Sequence, residues 1–188
     1  MPLSRVLNAV AAIVMWSCAH GAAAQPARSG ARLVFTRAEP VEQSVQVRDE
    51  KYKVMNLKLW FRNDGTSAAR LHSIAIMPLL TDKLLTAAEE DSDFSVAAAQ
   101  WSIIVNGEVK PGESASFASR SGVDDEGWTA FQANRKYLYS FLTLSYASEG
   151  SEHPGETLTE MCVWFQNGDI RTVNECQSGH NQVRESGN

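Results

Sequence analysis

Few residues in this chain have the type and spacing to do chemistry, and the clearest of them are cysteines. Of the three, Cys18 lies in an apolar N-terminal stretch, which leaves Cys162 and Cys176 in the body of the chain. Two cysteines in an exported chain most simply form one disulfide. The loop closed by residues 162 to 176 would stabilise by about 3 kcal/mol in the chain-entropy treatment. The competing chemistries are a catalytic thiol or a metal pair. A metal site needs about four ligands, and His72, His153 and His180 show no ligand spacing relative to the cysteines. Two acidic clusters, Glu89-Glu90-Asp91 with Asp93 and Asp124-Asp125-Glu126, offer Asp91, Asp93, Asp124 and Asp125 as Ca²⁺ ligands. Calcium takes about six to eight converging oxygens. Neither cluster has the Asp-x-Asp-x-Asp-Gly order with a distal Glu, so solvated loops are the plainer expectation. There is no Gly-x-Ser-x-Gly elbow, no His-Glu-x-x-His and no Gly-rich phosphate loop. No catalytic residue and no cofactor are therefore assigned, and the reading leans away from an enzyme.

The elements that must position these residues begin after an export signal. Arg5, the apolar run Val6–Cys18 and the small residues Ala22-Ala23-Ala24 read as a secretory signal peptide over 1–24, cut before Gln25. Its removal takes Cys18 and Trp16 with it. A flexible leader at 25–31, a β-domain at 32–176 and a disordered tail at 177–188 follow, the tail carrying one sizeable apolar residue, Val183. The whole chain has 17 basic and 22 acidic side chains. An acidic protein lacks the electrostatic footprint for nucleic acid or anionic lipid. No later stretch approaches the roughly 18 apolar residues of a span, so stable membrane insertion after cleavage is not expected.

Strand signals dominate the remainder. In Tyr52–Arg62, Met55, Leu57, Leu59 and Phe61 alternate with Val54, Asn56, Lys58, Trp60 and Arg62, the pattern of a half-buried antiparallel strand. Trp60 on the more polar face is the candidate for partner contact, with sheet covering as its plainer role. Asn63-Asp64-Gly65 reads as a tight turn into a strand at Leu71–Met77 ended by Pro78, the two strands pairing as a hairpin or as Greek-key neighbours. Leu80, Leu84, Leu85 and Ala88 recur at helical spacing, predicting a short helix near 79–90 closed by Asp91-Ser92-Asp93. Further strands are expected at 33–38, 101–105, 114–119, 137–146, 157–165 and 170–176, with turns at Asn106-Gly107 and Asn167-Gly168-Asp169 and an acidic loop at 121–127. About seven strands separated by turns predict an all-β fold, an antiparallel immunoglobulin-like β-sandwich, with a small closed barrel as the competitor.

Several short stretches carry a likeness: the turn Pro111-Gly112-Glu113, the strand ending Leu142-Thr143-Leu144-Ser145-Tyr146, the segment Thr159-Glu160-Met161-Cys162-Val163-Trp164-Phe165, then Cys176, and Asn63-Asp64-Gly65 followed by Ala68-Ala69. On these, residues 52 to 181 resemble a broad set of uncharacterised exported bacterial proteins with immunoglobulin-like domains. The chain departs from that pattern at Leu142, where such proteins often have Gly, and at Ser148, where they often have Asp. The resemblance implies fold and compartment, periplasmic or secreted, and no activity. The expectation is thus an exported, non-catalytic binding or envelope-associated sandwich contacting a protein partner in the cell envelope. Two alternatives stand beside it. One is a hydrolase of cell-wall or surface glycans, which needs paired carboxylates about 5 to 9 Å apart in a cleft. The other is a calcium-dependent adhesin.

Overall fold

The computed structural model describes residues 30–47, 50–100, 102–149 and 156–185. The expected signal peptide at 1–24, most of the leader, Trp16, Trp101 and His153 lie outside the described residues. Along the chain come β1 (Leu33–Val47), β2 (Glu50–Asn63), β3 (Ala69–Thr81), α1 (Ala87–Gln100), β4 (Ile103–Val109) and β5 (Ser114–Ala118). Then follow β6 (Val123–Asp124), α2 (Asp125–Gln132), β7 (Tyr137–Ser148), β8 (Glu156–Gln166), β9 (Asp169–Glu175) and β10 (Asn181–Glu185). They form two antiparallel sheets. One has the order β1-β2-β5, with β6 also on β2; the other runs β10-β8-β7-β3-β4, with β9 also on β8. The fold is an all-β sandwich, as the alternation predicts.

That alternation explains the layers. On β2, Leu57, Leu59 and Phe61 are buried between the sheets while Lys58, Trp60 and Arg62 face outward. On β7, Leu138, Leu142, Leu144 and Tyr146 join them in the core. The opposite face of β7 is buried as well, because α1 lies across it. Tyr139, Phe141, Phe94, Leu85 and both cysteines make a second apolar cluster there, with the rings of Phe94 and Phe141 edge to face at 6.5 Å.

Several expectations are corrected. The tight turn at Asn63-Asp64-Gly65 closes no hairpin, because β2 and β3 belong to different sheets and the segment carries the chain across the sandwich. Asn63 Oδ1 accepts the Gly65 N–H at 3.0 Å, an Asx turn. A Cβ on Gly65 would sit 2.2 Å from the Gly30 carbonyl oxygen, so only glycine fits. Pro78 does not end β3 but lies inside it, opposite Ser140. The β4 pairing has already stopped at Ile74, so no ladder bond is lost on that side. The helix near 79–90 is displaced: Leu79 and Leu80 complete β3, and the helix runs from Ala87 to Gln100, so Asp91-Ser92-Asp93 lies within it instead of closing it. Asn106-Gly107 is part of β4 at a bulge opposite Leu71–Ser73. The acidic loop at 121–127 is β6 and the start of α2, where Asp124 caps the helix by accepting the Gly127 N–H at 2.7 Å.

Both ends of the domain also move outward. Ala31, assigned to the leader, is buried and donates its N–H to Ser148 Oγ at 2.7 Å. The tail expected to be disordered contains β10, which pairs with the first half of β8. Thus β9 and β10 share one edge of β8, interrupted at Cys176–His180.

Candidate functional site

The disulfide sits at that interruption. Cys162 of β8 and Cys176 at the end of β9 are bonded, with Cα atoms 5.4 Å apart. Their pairing across the β8–β9 hairpin is the one the sequence predicts. The Asn181 side chain completes the ladder at this point: its Oδ1 accepts the Cys162 N–H and its Nδ2 donates to the Cys162 carbonyl, both at 3.1 Å. His180, expected to be a solvated tail residue, is instead stacked on Phe94 with centroids 3.9 Å apart. Its Nε2 lies 2.8 Å from Asp91 Oδ1 and its Nδ1 3.3 Å from Glu160 Oε2. Buried Glu90 accepts the Ser178 N–H at 2.8 Å. These contacts hold 176–182 against α1 and β8, a structural role for acids that looked like a calcium cluster.

The four calcium candidates are not brought together. Asp91 faces His180; Asp93 is half-buried on α1, where burial and then the charge of Glu89 hold its carboxyl above the ordinary value. Asp124 caps α2, and Asp125 follows it on that helix. Among the described residues no group of three or more His, Cys, Asp or Glu is arranged to hold a metal ion. His72 is exposed in the β3 bulge, with Nδ1 3.9 Å from Glu156 Oε1.

Trp60 is half-buried on the outer face of the β1-β2-β5 sheet. Arg37 Cζ lies 4.5 Å from its ring centroid and Lys58 Nζ 4.7 Å, so two cations cover the indole. Opposite Trp60 stands Ser116, and opposite Lys58 and Arg62 stand Ala118 and Ser114, leaving a low rim on that side. The Thr36 hydroxyl donates to the Trp60 carbonyl at 3.1 Å. Thr36 marks a bulge in β1 that turns Arg37 onto the indole.

Arg37 also lines a cleft of about 660 Å³ bounded by β1, α2 and β9. Trp128 and Gln132 of α2 form one wall, and Asp169, Ile170 and Arg171 form another. The β8–β9 turn lines the cleft through Gly168, and the φ values of Asn167 and Gly168, 58° and 67°, suit a two-residue hairpin. A Cβ on Gly168 would stand 2.9 Å from Gln132 Cα, so glycine lets the turn pack on α2. A second cleft, about 490 Å³, continues along β1 beside Arg32–Phe35, Met161 and Val183. Val173 lines both clefts and stands between them.

The charges here are unequally engaged. Glu39 pairs with Arg37 at 3.1 Å. Asp169 is held below its ordinary value, first by the Thr172 hydroxyl and then by the Arg171 N–H. Glu160 takes Arg184 at 3.1 Å beside His180. A glycan hydrolase needs one carboxyl kept protonated near a second. Asp93, whose carboxyl is held upward, lines neither cleft.

Sequence reasoning picked out Trp60 and missed Arg37, Trp128 and Arg171. Trp128 carried a usable signal, since Asp124 precedes the helical pair Trp128 and Phe131 as a cap should. Arg37 and Arg171 carried none, because their roles depend on strands distant in sequence. No protein-family model, curated protein or solved structure matches the chain.

Proposed function

We propose that this chain is an exported, non-catalytic binding sandwich that contacts a protein partner on its β1 side, with Trp60 as an anchor. One observation carries the reading: Arg37 both covers the Trp60 indole and lines the larger cleft, so face and cleft form one continuous surface. Trp and Arg are the residue types that dominate interface energetics. Export is supported by the signal-like 1–24 segment and by the disulfide, a bond that persists in oxidising compartments. An immunoglobulin-type sandwich is supported by strand order. With β1, β2 and β5 as A, B and E, the second sheet β4-β3-β7-β8 takes the places of C′, C, F and G.

The test is capture from envelope extract by immobilised protein, wild type against Trp60→Ala. The variant should stay folded, losing no more than about 1 kcal/mol of stability, and lose about ten-fold of its specific captured partner, as for an anchor residue. Equal capture by the two proteins would refute Trp60 as an anchor.

A further inference from the structure

Helix α1 lies on the outer face of the second sheet with little of its own to hold it there. Its buried residues are Glu90, Phe94 and Ala97, which supply one carboxylate, one ring and one methyl group. Val96, its other sizeable apolar residue, is exposed. The chain just before the helix is fixed separately, because the Tyr139 hydroxyl accepts the Leu85 N–H at 2.9 Å. Beyond the cap at Thr86 and Lys83, the polar contacts of α1 with the rest of the described chain go to Ser178 and His180. Glu90 takes the Ser178 N–H, and Asp91 meets the His180 ring. That ring stacks on Phe94, whose other ring neighbour is Phe141 of β7.

Residues 177–180 reach the helix as a loop whose two ends are fastened to one residue, Cys162. At one end Cys176 is joined to it by the disulfide and donates its N–H to the Cys162 carbonyl at 3.1 Å. At the other end the Asn181 side chain bonds both backbone groups of Cys162. Gly179, with a φ of 78°, lets the chain turn back between them. A hydrogen-bonded end exchanges its partner for water at a net cost of about 1 kcal/mol per bond. The disulfide end cannot open without chemistry. Both cysteines belong to the same apolar cluster as Phe94, Tyr139 and Phe141.

We propose that residues 177–180 are a strap fastened by the Cys162–Cys176 bridge, and that the thiol–disulfide state of this pair decides whether α1 stays on the sheet from Glu90 onward. The opening step is a two-electron reduction by a dithiol. One dithiol sulfur attacks Cys176, which keeps 8% of its surface against 0% for Cys162. A mixed disulfide forms, and Cys162 leaves as a thiolate that takes a proton. The second dithiol sulfur then displaces Cys176. One S–S bond breaks in the protein, one forms in the dithiol, and two electrons with two protons pass to the cysteine pair. The strap is then held by hydrogen bonds alone, and α1 opens locally while the sandwich stays folded. The oxidised protein keeps the Tyr139–Phe141 face closed; the reduced protein presents it.

Native-state hydrogen exchange of the intact protein, read by NMR, compares the Phe94–Ala98 amides with those of Leu57, Leu59 and Leu144 in the core. Removing the bridge, by dithiothreitol or by Cys176→Ser, should raise the α1-to-core ratio of exchange rates about ten-fold or more. The ratio is the readout because loss of the bridge also lowers global stability, which speeds both groups alike. His180→Ala in the oxidised protein should raise the ratio in the same direction. An unchanged ratio after bridge removal, or a reduced protein that unfolds as a whole, would overturn the proposal. So would a rise on reduction with none in His180→Ala, since the strap would then not be the connection.

Discussion

Asn63 shows how much one side chain can organise. It is fully buried, and its Nδ2 donates to the carbonyls of Ser67 and Val109, each at 2.8 Å. Its Oδ1 accepts the N–H groups of Arg32 and Gly65, each at 3.0 Å. The entrance to β1, the sheet-to-sheet crossing and the end of β4 are thereby tied together. Asn63→Ala leaves these four backbone groups without their partner and should lower unfolding free energy by about 2–4 kcal/mol. Urea denaturation measures this, and a loss below about 0.5 kcal/mol would contradict it. Cys176→Ser should cost about 3 kcal/mol in the same assay; unchanged stability would mean that the bridge is idle. The cysteine pair was legible because only Cys162 and Cys176 stand in the body of the chain. The turn chemistry of Asn63 was legible too, but its partners Arg32 and Val109 lie 31 and 46 residues away, beyond any local pattern.

Helix α1 shows the same limit for an element. Leu80, Leu84, Leu85 and Ala88 fit a helical period, yet Leu80 belongs to β3 opposite Leu138, because short apolar runs suit either structure. The better signal was Thr86-Ala-Ala-Glu89, a capping box. Glu89 Oε2 accepts the Thr86 N–H at 2.8 Å and the Thr86 hydroxyl at 3.0 Å, while Lys83 meets Oε1 at 2.7 Å. Lys83 first, then Thr86, lowers the Glu89 pKa from 4.5 to about 2. A carboxyl depressed in the folded state stabilises above its unfolded pKa and loses that contribution as pH falls toward the folded one. The stability difference between wild type and Glu89→Gln should therefore be constant above about pH 5 and shrink progressively as pH falls toward and through about 2. A difference as large at pH 2 as at pH 6 would contradict this cap. Thr86→Ala should cost about 1 kcal/mol by denaturation. In β10, Val183 is a weak strand signal by itself; the strand forms because Asn181, Gln182 and Arg184 bond to Cys162 and Glu160 on β8.

Across the whole molecule, period-2 alternation on β2 and β7 specifies two packed layers, and adjacent residues of one strand acquire separate tasks. Phe61 is fully buried, with Phe35 at 5.9 Å and Phe117 at 6.1 Å, whereas Trp60 beside it faces outward. Phe61→Ala should cost about 3–5 kcal/mol. Trp60→Ala should change stability by about 1 kcal/mol or less, its effect appearing in partner capture. Comparable losses for the two would mean that the faces are misassigned. The sandwich was readable in the sequence because alternation is local. The open β1 side was not, since an edge exists only after every other strand has chosen its neighbour. That edge strand carries Arg37 over Trp60 and into the larger cleft, so its placement is the central claim. Amide hydrogen exchange of the isolated protein, read residue by residue by NMR, tests it most directly. Between Val34 and Val41, amides directed at β2 should exchange slowly and those directed outward should exchange at nearly free rates. Uniformly slow exchange along β1 would show its edge already covered and would contradict the account.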